Sequence, residues 1–322
     1  MNKMPKIKVL DTGYDSFTYE QNLFESNGYS FEIFPGEKGD VDGKIAFASD
    51  AEGLLIRWTE IEENFLLAMK KLKAIVRYGV GYENIDLGAV KKTNVKVANV
   101  QNYGNHAVSD HALALMYGCN RMLPQGQKEV KSNFGSPPEK RILEFHESTL
   151  GIIGLGRIGG TLCQKAVHLF QKVIACDPYI SESRFKELGA ESVSLEELMH
   201  QSDVISIHCN LTKETEGLLN ENIFAQARRC PIVINTARGP VIDQNSIIKA
   251  FNLQQIFGAG IDVYNTELAH ELPDEILNHP LILSTGHYAW YSARSHLELQ
   301  MRAADNLLDM LQGNIPGDCL NP

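Results

Sequence analysis

The sequence lacks the features of membrane, secreted and metal-binding proteins. No apolar run among its 322 residues is long enough to span a bilayer, and residues 1–7 contain no apolar segment typical of a signal peptide. The six cysteines are scattered without a C-x-x-C pair, which favours free thiols in a reducing compartment. His106 and His111 are five residues apart, a poor spacing for two metal ligands on one helical face. We therefore expect a cytoplasmic protein without a membrane partner or a metal site.

The sequence also lacks an excess of positive charge. Its net charge is −10 and its pI is about 5.5, which argues against a nucleic-acid-binding surface. Hydrophobic residues make up 43% and charged residues 22% of the chain, and these fractions are ordinary for a globular protein. There are no internal repeats or low-complexity tracts. The length allows two domains.

A glycine-rich segment follows a short apolar strand near the middle of the chain. Gly154, Gly156 and Gly159 fit the G-x-G-x-x-G pattern between a predicted strand and a predicted helix. In this pattern the first glycine permits a tight turn, the second lets a pyrophosphate approach the backbone, and the third lets helix and strand pack closely. The helix N-terminus adds free N–H groups and the positive end of its dipole. The predicted dinucleotide-binding residues here are Gly154, Leu155, Gly156, Arg157, Ile158 and Gly159.

An acidic residue about twenty positions later favours this interpretation over a glycine turn that serves packing alone. The predicted strand at residues 173–176 is followed by Asp177, where a carboxylate binds the ribose hydroxyls of NAD. A site for NADP usually has a cation there, and residues 178–182 supply none. We therefore predict NAD as the cofactor.

Strand and helix patterns alternate along most of the chain. Short apolar strands separated by helical segments occur before residue 100 and again after Thr149, which predicts two parallel α/β units. The amphipathic helix at residues 292–312 is predicted to return to the first unit. We predict an α/β protein with two doubly wound parallel-sheet domains, a Rossmann cofactor domain inserted into a split flavodoxin-like substrate domain. The predicted substrate domain covers residues 1–100 and 289–322, and the cofactor domain covers residues 101–288.

Three chemically active side chains follow consecutive predicted strands of the second unit, namely Arg238, Glu267 and His287. Because the carboxyl ends of parallel strands meet at one edge of a sheet, we expect all three beside the cofactor. An arginine binds a carboxylate through two parallel hydrogen bonds, and a histidine exchanges a proton near neutral pH. A glutamate beside the histidine favours its protonated form. The set suits reduction of a 2-keto acid by hydride transfer, although each residue alone is equally consistent with a surface salt bridge.

The segments around these residues resemble the D-isomer-specific 2-hydroxyacid dehydrogenase family along nearly the full length of the chain. The resemblance implies that Arg238 orients the substrate, that Glu267 partners the histidine and that His287 is the acid–base catalyst. It also implies a small 2-keto or 2-hydroxy acid as substrate and a homodimer assembled through the region between the domains. The matching segments are residues 77–86, 99–115, 151–159, 177–179, 234–239, 261–267 and 285–287.

The resemblance also extends to residues that contact substrate and cofactor. It implies that the backbone N–H groups of Val80 and Gly81 bind the substrate carboxylate, and Tyr78 lies in the same turn. By its sequence pattern alone, that segment is as consistent with an ordinary β-turn. The residues that match the family's cofactor lining are Cys209, Asn210, Leu211, Thr215, Thr236, Ala237 and Asp262.

Within the family, residues 287–292 and 315–321 are similar to the C-terminal binding protein branch, which contains NAD-sensing transcriptional corepressors. A binding module whose NAD-dependent dimer recruits a protein is therefore the alternative to an enzyme. The absence of a long polar tail after Asn321 and of a basic region favours the enzyme.

Three aromatic residues are candidates for contact with the side chain of the substrate. The branch similarity implies that Trp290 faces the substrate, and Tyr78 and Trp58 are further candidates for an aromatic wall. The residues that follow Arg57 offer no additional cation for a phosphorylated substrate. We therefore predict a preference for medium-sized apolar 2-keto acids.

Overall fold

A computed structural model describes residues 4–130, 141–266 and 268–322 of the chain. The chain divides into two compact units, of which unit 1 comprises residues 1–103 and 292–322 and unit 2 comprises residues 104–291. These limits lie within three residues of the domain boundaries that the sequence predicts.

Strands and helices alternate through both units. The strands are β1 (Lys6–Val9), β2 (Ser30–Ile33), β3 (Gly53–Ile56), β4 (Ala74–Arg77), β5 (Lys96–Ala98), β6 (Thr149–Ile153), β7 (Lys172–Cys176), β8 (Glu191–Ser192), β9 (Val204–Ile207), β10 (Ile232–Asn235), β11 (Gly258–Ile261) and β12 (Ile282–Ser284). The helices are α1 (Thr18–Ser26), α2 (Val41–Ala48), α3 (Glu63–Ala68), α4 (Leu87–Val90), α5 (Asn105–Asn120), α6 (Leu123–Glu129), α7 (Arg157–Ala166), α8 (Glu182–Leu188), α9 (Leu195–Gln201), α10 (Glu221–Phe224), α11 (Gln244–Asn252), α12 (Asp274–Leu277) and α13 (Ala293–Leu311). Short 3-10 helices cover Phe145–Glu147, Gly239–Val241 and Ala269–Glu271.

Unit 1 is built on a five-stranded parallel sheet with the order β2-β1-β3-β4-β5. This order is that of flavodoxin-like folds. The C-terminal helix α13 packs on β3, β4 and β5, and a Cβ on Gly53 would lie 3.1 Å from the Leu311 side chain. The apolar face of α13 thus returns the end of the chain to the first sheet, so unit 1 is discontinuous.

Unit 2 is built on a seven-stranded parallel sheet with the order β12-β11-β10-β9-β6-β7-β8. The strands β6, β9, β10 and β11 are buried along their whole length, as expected for a sheet covered by helices on both faces. The direction of strand order changes between β6 and β9, and ligands of such sheets bind at the carboxyl ends of the strands at that point. The fold confirms the predicted class of two parallel-sheet α/β domains.

Several elements differ from the sequence prediction. The helix α7 begins at Arg157, whereas its apolar pattern predicts a start at residue 161, because residues 157–160 contain two glycines that obscure the helical period. The helix α2 was not predicted, and it contains Gly43, whose N–H donates to the Asp40 side chain at 2.8 Å. Among the described residues, no helix is long and apolar enough to cross a membrane.

Candidate active site

The glycine turn after β6 combines close packing with one open side. Gly154 has φ +87°, and a Cβ on it would lie 2.6 Å from the backbone nitrogen of Cys209. A Cβ on Gly159 would lie 2.0 Å from the Gly154 carbonyl oxygen, so α7 packs directly on the end of β6. By contrast, apart from its chain neighbours and the nearby backbone of α7, no described heavy atom lies within 4 Å of a Cβ on Gly156, and no side chain caps α7 there. The turn therefore has room for a phosphate group at the helix N-terminus.

Asp177 follows β7 and connects two segments of the predicted cofactor site. Its Oδ2 accepts a hydrogen bond from the Leu155 N–H at 2.8 Å, and its Oδ1 accepts one from the Tyr179 N–H at 3.0 Å. Since each carboxylate oxygen has further acceptor capacity, ribose hydroxyls can still donate to it. At the start of α7, Arg157 is exposed and Ile158 is half-buried.

The segment after β9 and the end of β10 supply further predicted cofactor residues. Cys209 lies against the glycine turn, and the loop that continues through Asn210 and Leu211 is closed by Thr215, whose Oγ1 donates to the Asn210 carbonyl at 2.6 Å. Thr236 is buried, and its hydroxyl has no hydrogen-bond partner within the described parts of the chain. Because an unsatisfied buried hydroxyl costs free energy, Thr236 fits a polar group of a bound dinucleotide.

Arg238 follows β10, and its backbone is fixed by neighbouring contacts. Its Nη1 donates to the Ala237 carbonyl at 2.7 Å, and its own carbonyl accepts from Asn235 Nδ2 at 2.9 Å. A Cβ on Gly239 would lie 2.1 Å from the Tyr264 carbonyl oxygen, so the arginine loop packs directly on the segment after β11. The side chain of Arg238 is half-buried.

Asp262, at the end of β11, stabilises the turn that contains His287. Its Oδ1 accepts a hydrogen bond from the Tyr288 N–H at 3.2 Å and its Oδ2 accepts one from the Ala289 N–H at 3.0 Å. Its carbonyl oxygen accepts from the His287 N–H at 2.8 Å. His287 has φ +55°, in the left-handed region that is uncommon for residues other than glycine. Asp262 is predicted as a cofactor residue, and the structure shows it as the acceptor that organises this turn.

Two residues outside the predicted set, Thr285 and His111, form a hydrogen-bonded cluster with Asp262. Thr285 Oγ1 donates to Asp262 Oδ1 at 2.6 Å, and His111 Nε2 lies 3.0 Å from Thr285 Oγ1. His111 belongs to α5, which packs on β10, β11 and β12 in unit 2. Sequence reasoning tested His111 only as a metal ligand. A histidine within the apolar pattern of a helix was the one signal that pointed to it.

Of the two remaining predicted residues of unit 2, the structure describes Trp290 but not Glu267. Trp290 is half-buried, and its Nε1 donates to the His287 carbonyl at 3.2 Å, so the indole lies beside the turn of His287. Glu267 lies outside the described residues. Its pairing with His287 stays a prediction.

Tyr78 follows β4, and its side chain lies in the core of unit 1. It is 1% exposed, its hydroxyl donates to Glu20 Oε1 at 3.0 Å, and its ring centroid lies 5.0 Å from that of Tyr14. Burial, followed by the proximity of Glu20, raises the pKa of Tyr78 well above its ordinary value. This burial contradicts the prediction that Tyr78 contributes to an aromatic wall around the substrate, because its ring is already enclosed by side chains of unit 1.

The backbone after β4 forms the predicted carboxylate-binding turn. Gly79 has φ +126°, a backbone conformation that residues with a Cβ rarely adopt, so the turn favours glycine there. Val80 is 37% exposed, and its carbonyl accepts from Asn99 Nδ2 at 2.6 Å. Gly81 is buried. These contacts fix the turn within unit 1, and its binding of a carboxylate stays a prediction.

Trp58 is flanked by two cations. Lys38 Nζ lies 4.2 Å from the centroid of its ring, and Arg57 Cζ also lies 4.2 Å away. Both distances are within the range of cation–π interactions. The residues that follow Arg57 in the sequence offer no cation, and the structure adds Lys38 from a distant part of the chain.

The sequence of unit 2 matches a known domain. The family model described as "D-isomer specific 2-hydroxyacid dehydrogenase, NAD binding domain" matches residues 113–289, which are more than half of the chain. This range includes the glycine turn, Asp177, Arg238 and His287.

Curated relatives extend the similarity into unit 1. D-3-phosphoglycerate dehydrogenase of Bacillus subtilis is 32% identical over 278 residues, which cover 85% of this chain and 53% of that protein. A 2-hydroxyacid dehydrogenase homolog of Zymomonas mobilis is 30% identical over 290 residues, which cover 85% of this chain and 87% of that protein. The chain thus spans about half the length of the phosphoglycerate dehydrogenases that it matches.

Solved structures share the fold of the whole chain. The crystal structure of D-lactate dehydrogenase from Aquifex aeolicus, complexed with NAD and lactic acid, superposes with a TM-score of 0.87 at 25% identity. The match covers 98% of this chain and 99% of that one. The chain therefore belongs to the D-isomer-specific 2-hydroxyacid dehydrogenase family, and its unit 2 contains the NAD-binding domain of that family.

Proposed function

We propose that the protein is an NAD-dependent oxidoreductase that interconverts a D-2-hydroxy acid and a 2-keto acid. The observation that carries the proposal is the left-handed turn at His287, which Asp262 stabilises in the same unit as Arg238 and the glycine turn. The strands that precede His287, Asp262 and Arg238 are neighbours in the sheet, with the order β12-β11-β10. Family membership supports the same reaction.

Arg238 is the proposed substrate-orienting residue. Its planar guanidinium presents parallel N–H donors to a carboxylate or a carbonyl oxygen, and it stabilises negative charge that develops on that oxygen. The N–H groups of Val80 and Gly81 in unit 1 are the proposed donors to the substrate carboxylate.

His287 is the proposed proton donor and acceptor. Bound NADH supplies a hydride to the carbonyl carbon of the keto acid. As the C–O double bond opens, His287 donates its ring proton to the oxygen, so an alcohol forms and a neutral imidazole remains. Oxidation of the hydroxy acid uses the neutral imidazole to accept that proton. Glu267 is the proposed partner that favours the protonated ring.

The first test is a panel of 2-keto acids assayed by NADH oxidation. The panel should include glyoxylate, pyruvate, hydroxypyruvate, 3-phosphohydroxypyruvate, 4-methyl-2-oxopentanoate and phenylpyruvate. We expect turnover with at least one of them, and we expect His287→Gln to bind NADH but to lose turnover. If the protein binds NADH but reduces none of the panel, the NAD-dependent binding module is the better description.

The substrate's side chain is proposed to contact Trp290. Each methylene buried against an apolar surface contributes about 0.8 kcal/mol, so medium-sized apolar keto acids should have higher kcat/KM than glyoxylate. The cations beside Trp58 could pair with a phosphate group, so 3-phosphohydroxypyruvate is the most informative substrate to compare with the apolar keto acids.

Trp290→Ala should reduce the preference for apolar substrates while sparing glyoxylate. Trp290→Phe retains an aromatic ring but removes the donor to the His287 carbonyl, so it separates contact with the substrate from support of the turn. An unchanged ranking of substrates in Trp290→Ala, or 3-phosphohydroxypyruvate as the best substrate, would refute the apolar wall.

A further inference from the structure

The helix α5 places His111 against the turn that contains His287. The His111 side chain is 17% exposed, and its Nε2 lies 3.0 Å from Thr285 Oγ1 and 3.6 Å from Asp262 Oδ1. The ring also packs edge-to-face on Tyr288, with centroids 5.3 Å apart. His111 therefore contacts the residues on both sides of His287 in the sequence, as well as the carboxylate that organises them.

The hydrogen-bond directions in this cluster follow from its chemistry. A threonine hydroxyl has one hydrogen, and Thr285 donates it to the Asp262 carboxylate at 2.6 Å. Thr285 Oγ1 therefore accepts from His111, which requires a hydrogen on Nε2 of the ring. The chain of donors thus runs from His111 through Thr285 to Asp262.

Asp262 uses the same carboxylate to bind the backbone after His287. Its oxygens accept the Tyr288 and Ala289 N–H groups at 3.2 and 3.0 Å. A left-handed conformation is strained for a residue other than glycine, so the φ of +55° at His287 persists only because surrounding contacts impose it. A donor that fixes the orientation of Thr285 and Asp262 also restricts this turn.

We propose that His111 is a positioning residue for His287 and that it acts by donating a hydrogen bond to Thr285. This inference rests on the proposed catalytic function of His287. His111 does not exchange protons with the substrate in this scheme. Its contribution is to hold the Thr285 hydroxyl in the orientation that keeps the Asp262 carboxylate on the Tyr288 and Ala289 amides.

The test compares variants that keep or remove the donor. His111→Gln places an amide N–H donor near the position of Nε2, whereas His111→Leu removes the donor at similar volume. Thr285→Ser keeps the hydroxyl, and Thr285→Val removes it. His106→Leu is the control, because His106 is exposed on the same helix and lies outside the cluster. Each variant is assayed for kcat with the best keto acid, for NADH affinity, and for amide hydrogen exchange of residues 285–290.

We expect His111→Leu to lower kcat by about tenfold to 100-fold, as a small displacement of a catalytic group does, with NADH affinity unchanged. His111→Gln should recover most of the loss. Combined with Thr285→Val, His111→Leu should add little further loss, because both remove the same interaction. Exchange of the Tyr288 and Ala289 amides should increase in His111→Leu and not in His106→Leu.

Three results would overturn the inference. They are full activity in His111→Leu, equal loss of activity in the Gln and Leu variants, and unchanged exchange of the two amides in His111→Leu. Because amide exchange needs no turnover, it tests the role of His111 even if the wild-type protein reduces no keto acid. In that case the proposed function fails, and the effect of His111 on the turn is still measured.

Discussion

Replacing Arg238 by lysine separates the contribution of its positive charge from that of its planar pair of donors. A lysine keeps the positive charge but lacks the planar pair of parallel donors. We expect Arg238→Lys to lower kcat/KM for the best 2-keto acid by about 100-fold, comparable to the loss of one donor to a developing oxyanion. NADH affinity, measured by fluorescence titration, should not change, since the proposed contact is to the substrate.

Arg184→Lys is the matched control for this substitution. Arg184 lies on α8 and forms a surface ion pair with Glu187 at 2.7 Å, so its replacement should leave the kinetics unchanged. If Arg238→Lys retained turnover with an unchanged KM, Arg238 would not be the substrate ligand.

Site residues that directly follow one strand could be proposed from the sequence. Contacts between segments that are distant in the sequence could not. Arg238 and His287 each follow a buried or half-buried strand of unit 2, and that pattern is visible locally. Tyr78 was misassigned because its burial depends on contacts from distant segments, among them Glu20, 58 residues away, which accepts from its hydroxyl. The role of Asp262 toward the His287 turn was also not visible, since it requires the pairing of β11 with β12.

The glycine turn and α7 form the element on which cofactor binding depends. An added methyl at Gly156 meets no described atom within 4 Å apart from its chain neighbours and the nearby backbone of α7, so Gly156→Ala should leave the fold intact. The same methyl occupies the space through which a pyrophosphate approaches the backbone. We therefore expect Gly156→Ala to keep the wild-type Tm and to raise the Kd for NADH by about tenfold or more, a change of about 1.4 kcal/mol or more.

Gly160→Ala is the control within the same helix. Its Cβ would lie 3.4 Å from Leu188, an ordinary contact, and alanine is a better helix former than glycine. This variant should have an equal or higher Tm and unchanged NADH affinity. Equal Kd values for the two alanine variants would mean that the pyrophosphate does not approach Gly156.

A buried carboxylate links α1, β4 and α13 in unit 1. Glu20 in α1 accepts hydrogen bonds from the Tyr78 hydroxyl at 3.0 Å and from Gln300 Nε2 of α13 at 2.9 Å. Burial raises the pKa of Glu20 above 4.5, although these hydrogen bonds partly oppose the shift. Above pH 4.5 the folded protein therefore binds more protons at this site than the unfolded chain. Stability contributed by this group falls as pH rises from 4.5 through the raised pKa.

Glu20→Gln removes this titration and keeps an acceptor oxygen. Thermal unfolding should show a Tm difference, variant minus wild type, that increases from pH 4.5 to pH 8. Each kcal/mol corresponds to about 1.5 °C in Tm for a chain of this size that unfolds cooperatively. Glu25→Gln, an exposed change on the same helix, should show no such trend. A difference independent of pH would mean that Glu20 is not protonated more readily in the fold.

Strands were predicted more accurately than helices, because a buried strand appears in the sequence as an uninterrupted run of apolar residues. The sequence pattern predicts strands at residues 53–56 and 232–235, which are the bounds of β3 and β10, since each is a short apolar run that is wholly buried. The short helices α4, α10 and α12 were missed, because each has only four residues and shows no helical period. Side chains cap two of them, since Asp86 accepts from the Ala89 N–H of α4 at 3.0 Å and Asn220 accepts from the Asn222 N–H of α10 at 3.0 Å.

At the scale of the whole molecule, the alternation of strands and helices predicted parallel sheets, but it did not give their order. Sequence patterns do not encode which strands pair, because pairing depends on the direction of each crossover and on side-chain packing between distant segments. The assignment of the C-terminal helix to unit 1 was possible, because its apolar face needs a covering surface.

The proposed homodimer is a property of the whole molecule that the described surface of unit 2 supports. Leu123 and Val130 at the ends of α6 are each 59% exposed, and Tyr117 on the preceding helix is 40% exposed. The described side chains of α6 include no buried residue. Apolar side chains grouped on one exposed segment are typical of an interaction surface.

We expect the purified protein to sediment at about twice its chain mass of 35.9 kDa. The double substitution Leu123→Asp and Val130→Asp places two charges on this surface, and a desolvated unpaired charge opposes association strongly, so the variant should sediment as a monomer with an unchanged circular dichroism spectrum. Leu67→Asp is the control, because Leu67 is 76% exposed on α3 of unit 1, outside the proposed interface. A wild-type monomer at micromolar concentration would refute the homodimer. A variant that remains dimeric would place the interface elsewhere, because two buried aspartates on each subunit are incompatible with a tightly packed apolar contact.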